Sequence, residues 1–324
     1  VALKRAAQRE ALRELADEIG NVRAALAWSL ESEEPEAGLR LASAMSEFWW
    51  RVGRPSEGSE WLKKMLSAGK PASDLTRAKA LVQAARMAWA QGHLERASAL
   101  AEQSLVLWRD LNDKKGVAEA LGISGAIAHF AGYRDKALAL LEESLALFRE
   151  TGDEWYTGLN LLWLADTWMR EGDYRQAAAL FEEALTLFQK QGDRWGIGFA
   201  LGGSGDVARH QGNYRQATVL HQEALRLHLE EGNKGDIPFS LEALAILAAI
   251  LGQSERAAQL WGAADALREA LHTPLPPSYQ DDYAPHVNAA REGISEAAFA
   301  AAWARGKAMT LDQAAKYAMD KAPL

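Results

Sequence analysis

The sequence predicts an all-α fold, a right-handed α-solenoid of antiparallel helix hairpins with helical caps at its ends. Five glycines, Gly92, Gly132, Gly172, Gly212 and Gly252, stand forty residues apart. Apolar residues recur at helical spacing on both sides of each of them, the pattern of two amphipathic helices joined by a tight turn. None of the nine prolines lies between Pro71 and Pro238, so nothing interrupts the hairpins there. A fixed period of this length is the mark of stacked supersecondary units.

The elements follow in order. Residues 1–34 read as lead-in helices, and residues 35–73 as a first hairpin with Gly53 at its turn. Five more hairpins cover 74–113, 114–153, 154–193, 194–233 and 234–272. Within them Ala97, Ala137, Ala177, Ala217 and Ala257 keep one phase after the turn glycine, and Leu81, Leu121, Leu161, Leu201 and Leu241 keep one phase before it. Ala85, Gly125, Ala165, Gly205 and Ala245 form a row of small residues that lets neighbouring helices approach. Between hairpins, Asn112-Asp113, Gly152-Asp153, Gly192-Asp193 and Gly232-Asn233 pair a residue tolerant of positive φ with an N-cap residue. Residues 273–324 change character: Pro274, Pro276 and Pro277 break the array, and Ser278, Ser295 and Thr310 each begin a helical pattern, the last with Gln313 in a capping box. These helices are expected to fold back on the sixth hairpin as a cap.

Composition removes several function classes. The formal charge is −8, and Lys and Arg alternate with Glu along helix faces, which argues against nucleic acid as a partner. There is no cysteine, hence neither a disulfide framework nor a thiolate metal site. No apolar run is long enough for a membrane span and the start is no signal peptide, so a soluble, cytoplasmic protein without membrane contact is expected. The chain opens without methionine in mid-helix pattern, which suggests a piece of something longer.

The run Arg170-Glu-Gly172-Asp-Tyr174-Arg-Gln-Ala177-Ala-Ala-Leu180-Phe181-Glu-Glu-Ala184-Leu185, with its relative Gln211-Gly212-Asn-Tyr214-Arg-Gln-Ala217, resembles the tetratricopeptide repeat in its long variant. The ends add to this. Glu18-Ile-Gly-Asn21-Val-Arg23-Ala24-Ala25-Leu26-Ala-Trp28 and Phe48-Trp49-Trp50, with Leu260-Trp261-Gly262-Ala263-Ala264 and Phe299-Ala-Ala-Ala-Trp303, resemble the C-terminal repeat region of bacterial signal-transduction ATPases and transcriptional regulators of the STAND class. The resemblance implies a sensor region downstream of a nucleotide-binding switch. It implies no catalytic residue, cofactor or metal in this chain. Instead it implies a protein or peptide partner in a concave groove, with the upstream nucleotide-binding domain as a second partner. A free-standing scaffold or adaptor is the alternative.

The family's geometry places the groove on the first helices of the hairpins. The candidate partner-binding residues are Arg86, Trp89, His129, Phe130, Trp163, Asp166, Arg170, Gly202, Gly203, Asp206, Arg209 and His210. Trp89, Phe130 and Trp163 would anchor apolar groups. Arg86, Arg170 and Arg209 would pair a carboxylate or main-chain carbonyls, oriented by Asp166 and Asp206. Read more plainly, Asp166 with Arg170 and Asp206 with His210 are surface pairs of one helical turn. Gly202 and Gly203 are expected to leave a hole in the groove floor beside Trp163, since adjacent glycines inside a helix require a reason.

Three other readings are weaker. The cluster Gly196-Ile-Gly198-Phe-Ala-Leu-Gly202-Gly203-Ser-Gly205 follows no strand, so it lacks the context of a nucleotide loop, and Gly69-Lys70-Pro71 is no phosphate loop. His221 and His228 share a helix face but have no third ligand nearby. Asp166 and Asp206 in one phase would suit the carboxylate pair of an α/α-toroid hydrolase, against which stand the unbroken period and the lack of a sugar platform.

Overall fold

The structure is a computed structural model that describes residues 8–32, 34–68 and 72–320. Among the described residues there are seventeen helices and no strand. The lead-in helices α1 (Gln8–Asp17) and α2 (Ile19–Glu31) precede α3 (Pro35–Arg51) with α4 (Pro55–Leu66), and α5 (Asp74–Ala90) with α6 (Leu94–Asp110). Next come α7 (Lys114–Phe130) with α8 (Arg134–Thr151), α9 (Glu154–Arg170) with α10 (Tyr174–Gln191), α11 (Arg194–His210) with α12 (Tyr214–Glu231), and α13 (Ile237–Ile250) with α14 (Ser254–Leu271). After the array come α15 (Pro277–Glu292), α16 (Glu296–Lys307) and α17 (Leu311–Met319).

Each hairpin turns on its glycine, and Gly53, Gly92, Gly132, Gly172, Gly212 and Gly252 all adopt φ between +71° and +82°. A side chain is strained in that left-handed region, which is why the sequence period is visible at these positions. The next helix starts on a cap: the carboxylates of Asp113, Asp153 and Asp193 accept from the backbone N–H of Gly116, Tyr156 and Gly196 at 3.0, 3.2 and 3.0 Å. Asn233, at the same place in the sixth hairpin, does not cap, because α13 begins later, at Ile237.

The first helices pack on one another, α3 on α5, α5 on α7, α7 on α9, α9 on α11 and α11 on α13, and form the inner layer. Second helices lie outside. Large side chains of the second helices seat on glycines of the first: a Cβ at Gly116 would lie 2.1 Å from the Trp108 ring, and one at Gly196 2.3 Å from Phe188. Ser104 and Ser144 each donate at 2.7 Å to a carbonyl of the paired first helix, Ala78 and Ala118. A hydroxyl at that phase ties the two helices of a hairpin together.

The solenoid curls further than an open arc. The Trp50 ring on α3 meets Trp195 on α11 edge-on, with centroids 5.4 Å apart, and the Arg51 guanidinium lies 5.0 Å over the same indole. At Gly53 an added Cβ would lie 2.4 Å from Leu271 of α14, and α1 touches α12. Trp50, Trp89, Trp163, Phe199 and Trp195 complete a circuit of rings whose neighbouring centroids are 5.0 to 6.4 Å apart. The expected groove is therefore an inner chamber, closed where the first hairpin meets the fifth.

The helices after the array pack in part on the sixth hairpin. Helix α16 lies on α14 through two glycines: a Cβ at Gly262 would lie 2.1 Å from the Trp303 carbonyl oxygen, and one at Gly306 2.0 Å from that of Gln259. Ser295 caps α16, and Thr310 caps α17 in a full capping box with Gln313. Ser278 begins no helix of its own, since α15 starts one residue earlier, at Pro277. Nor does α15 stay on the sixth hairpin. It also touches α7, across the inner layer.

Candidate functional site in the inner chamber

The chamber is a cavity of about 620 Å³, within the range of ligand sites. Trp89, Phe130, Trp163, Asp166, Arg170, Gly202, Gly203, Asp206, Arg209 and His210 all line it, whereas Arg86 and His129 do not. Arg86 is buried beside Glu47 and Glu119, at 3.4 and 3.8 Å, and is taken up by the structure. His129 lies behind the wall, with Nε2 2.7 Å from Asp166 Oδ2 and Nδ1 3.0 Å from the Thr167 hydroxyl.

Trp89, Phe130 and Trp163 come together as one apolar block, with centroid separations of 5.0 and 5.5 Å. Their ring edges and faces are partly used on each other. Gly203 leaves no hole, because a Cβ there would lie 2.2 Å from the Phe181 ring, which fills the space. At Gly202 the nearest atom is Ala224 Cβ, 3.9 Å away, so the open part of the floor is at this one residue. The glycine run of α11 is a row of seats: Phe188 on Gly196, His228 on Gly198, Phe181 on Gly203 and His221 on Gly205.

The polar wall is engaged by the chain itself. Residues 273–283 run along the chamber, and the Tyr279 hydroxyl donates at 2.9 Å to Asp166 Oδ2. Arg170 donates at 2.7 Å to the Ser278 carbonyl oxygen and its guanidinium lies 3.7 Å over the Tyr279 ring, which also stacks on Phe130 at 5.7 Å and meets Phe239 at 5.4 Å. Arg209 holds the Asp282 carboxylate through both Nη atoms, at 3.2 and 2.6 Å. Farther along, Arg268 pairs bidentately with buried Glu242 at 2.6 and 2.7 Å and donates to the Thr273 carbonyl at 3.2 Å.

Asp166 with Arg170 is thus a buried pair, 3.7 Å apart, and no surface contact. Asp206 pairs with Arg209 at 3.5 Å and lies 3.6 Å from His221. His210 instead stacks on Tyr174 at 4.8 Å. Burial works to raise the Asp166 carboxyl, but Arg170 and His129, together with the Tyr279 hydrogen bond, hold it well below the usual carboxylate range. Burial and the Asp166 charge push the Tyr279 phenol well above its ordinary value, so it stays a donor.

Trp50 shares the phase of Trp89 relative to its turn glycine, so the repeat frame contains the signal that places it inside. Trp195 and Arg51 meet across the closure between the first and fifth hairpins, while Phe199 packs on Trp163 of the neighbouring hairpin. The segment 273–283 lies outside the repeat, and no register argument reaches it.

Residues 156–230 match the tetratricopeptide repeat family. No curated protein matches the chain significantly. Among solved structures it is similar to the Rap protein complexed with Competence and Sporulation Factor, at 13% identity and a TM-score of 0.62 over 90% of this chain and 87% of that one. It is similar to NprR in complex with its cognate peptide NprX, at 14% identity and a TM-score of 0.60 over 93% and 88%. It is also similar to the STAND protein with a tetratricopeptide repeat sensor from Pyrococcus horikoshii, at 15% identity and a TM-score of 0.56, covering 92% of this chain and 45% of that one. These likenesses establish the solenoid fold. No helix among the described residues is long and apolar enough to cross a membrane.

Proposed function

From the premise that the chain carries tetratricopeptide repeats on an all-α solenoid, we propose that it is a non-catalytic module that binds a peptide, or a peptide-like segment of a partner protein, in its inner chamber. The observation that carries this reading is the hold of Arg170 and Arg209 on a main-chain carbonyl and a carboxylate, those of Ser278 and Asp282. The inner wall already recognises peptide chemistry, in a segment supplied by the chain. The ring of aromatic side chains beside it offers the apolar anchors that such ligands need. Two similar folds are solved as complexes, Rap with Competence and Sporulation Factor and NprR with its cognate peptide NprX.

The likeness to a STAND protein with a repeat sensor supports a place as the sensor region of such a regulator, beside a nucleotide-binding domain that would be its second partner. Ligand in the chamber would then compete with residues 273–283 for Arg170 and Arg209, and release of that segment would report occupancy.

The test is capture of ligand from the source cell by the purified chain, with mass spectrometry of what is retained, for the wild type and for the Arg170→Ala, Arg209→Ala double variant. Peptides retained by the wild type and lost from the folded double variant support the reading. Equal retention by both contradicts it.

A further inference from the structure

One end of the chamber holds a set of buried polar atoms that the strap 273–283 does not reach. At the junction where α3 meets the loop before α13, Arg51 is 3% exposed, Asn233 1% and His228 3%, and all three line the cavity. Arg51 uses Nε on Glu47 at 2.7 Å, while its Nη1 and Nη2 have no hydrogen-bond partner among the described residues. Neither the Oδ1 nor the Nδ2 of Asn233 has one, and neither does His228 Nδ1, which lies 4.0 Å from Asp236 Oδ2. Buried polar groups are costly unless paired, so a cluster aimed into one cavity calls for a ligand.

The sequence explains why Asn233 is free. Its counterparts Asp113, Asp153 and Asp193 are spent capping the following helix. In the sixth hairpin the helix starts later, ahead of Pro238, and the amide is released into the chamber. Closure of the solenoid brings the end of α3 against this loop, where a Cβ at Gly53 would lie 3.6 Å from Lys234 Cβ, and puts the Arg51 charge within reach of His228. The Arg51 guanidinium lies over the Trp195 indole, its central carbon 5.0 Å from the ring centroid.

We propose that Arg51, Asn233 and His228 form a seat for a carboxylate that has a hydrogen-bond donor next to it. The two Nη groups match a carboxylate bidentately, and Asn233 Nδ2 adds a third donor. Asn233 Oδ1 requires an N–H or O–H from the same ligand. Glu47 already balances the Arg51 charge at Nε, so the seat offers directed N–H donors rather than surplus positive charge, which disfavours a doubly charged phosphate. Burial, with a smaller contribution from Arg51, lowers the His228 pKa against the pull of Asp236, leaving a neutral ring with one donor and one acceptor. Free α-amino and α-hydroxy acids carry this chemistry, and so does the C-terminal residue of a peptide. In the second case the seat rests on the peptide reading of the chamber and fixes which end of the peptide enters it.

The experiment has two arms. In the first, the twenty α-amino acids and lactate are titrated singly into the chain by calorimetry, against their carboxamides. In the second, a pool of pentapeptides with free C-termini is passed over the immobilised chain, against the same pool amidated. Both arms are repeated with Asn233→Asp, which installs the residue the other hairpins use at this place, with helicity checked by circular dichroism. Binding of a small acid but not its amide, or retention of free-acid peptides but not amidated ones, is the expected result, with at least a tenfold loss in Asn233→Asp. Equal retention of amidated peptides overturns the seat while leaving the peptide reading of the chamber intact. Binding of small acids without peptides supports the seat and removes the peptide reading. No binding in either arm, or full binding by folded Asn233→Asp, overturns the seat.

Discussion

Trp50 and Trp195 belong to the first and the fifth hairpin, yet their rings meet edge-on at 5.4 Å. This contact turns a curved stack of hairpins into a chamber. An aromatic pair of this geometry contributes about 0.5–1.5 kcal/mol beyond the area it buries. Trp50→Ala should therefore open the superhelix more than it unfolds it. Small-angle scattering should give a larger radius of gyration at near-wild-type helicity, and an unchanged radius would show that closure rests elsewhere.

The strap depends on Asp166. Tyr279→Phe removes the hydroxyl that donates to Asp166 while keeping the ring between Arg170 and Phe130. The buried carboxylate keeps His129 and Arg170, so a loss of about 1–2 kcal/mol is expected, confined to the strap. Hydrogen exchange should quicken at residues 274–283 and stay unchanged in α10 and α12. Asp166→Asn, which also leaves Arg170 and His129 without their anion, should cost more, about 3 kcal/mol or above.

Acid should act on the same contact late. The folded-state pKa of Asp166 lies below its unfolded value, so its stabilisation is fully present above the unfolded pKa, about 3.9, and is lost as pH falls through the folded value. His228 acts in a different window. Its pKa is also lowered by burial, so the unfolded chain binds the proton more tightly, and stability falls as pH drops below the unfolded value of about 6.5. Between pH 7.5 and 5.5 the melting temperature of the wild type should fall more than that of His228→Gln. Parallel curves would refute the assignment.

The two adjacent glycines of α11 should respond oppositely. A Cβ at Gly203 would lie 2.2 Å from the Phe181 ring, so Gly203→Ala must displace a core aromatic, with an expected loss of about 1–3 kcal/mol. A Cβ at Gly202 meets only Ala224 at 3.9 Å, and Gly202→Ala should raise stability by about 0.5–1 kcal/mol through helix propensity. Thermal unfolding of the two variants separates them. A destabilised Gly202→Ala would mean that the floor is tighter there.

Much of this was legible in the residues because the repeat makes each position comparable with four others. Turn glycines and capping aspartates follow from local rules that hold within one hairpin. The residues of the inner face, among them Trp163, Asp166, Arg170 and Arg209, came from the geometry that the family resemblance implies. What the period could not carry is side-chain contact between one hairpin and another, near or far. Arg86 looked free because Glu47 and Glu119 reach it from hairpins on either side. Gly203 looked empty because Phe181 arrives from another helix. The partners of Arg170 and Arg209 come from a segment with no repeat phase at all.

The central claim is that ligand binds inside the chamber. Hydrogen exchange of the chain with and without the peptides it retains tests this most directly. The account predicts new protection on α9 and α11, around residues 160–170 and 200–210, with faster exchange in 273–283 as the strap leaves. Protection confined to the outer helices α6, α8 and α10, with the strap unchanged, would contradict it.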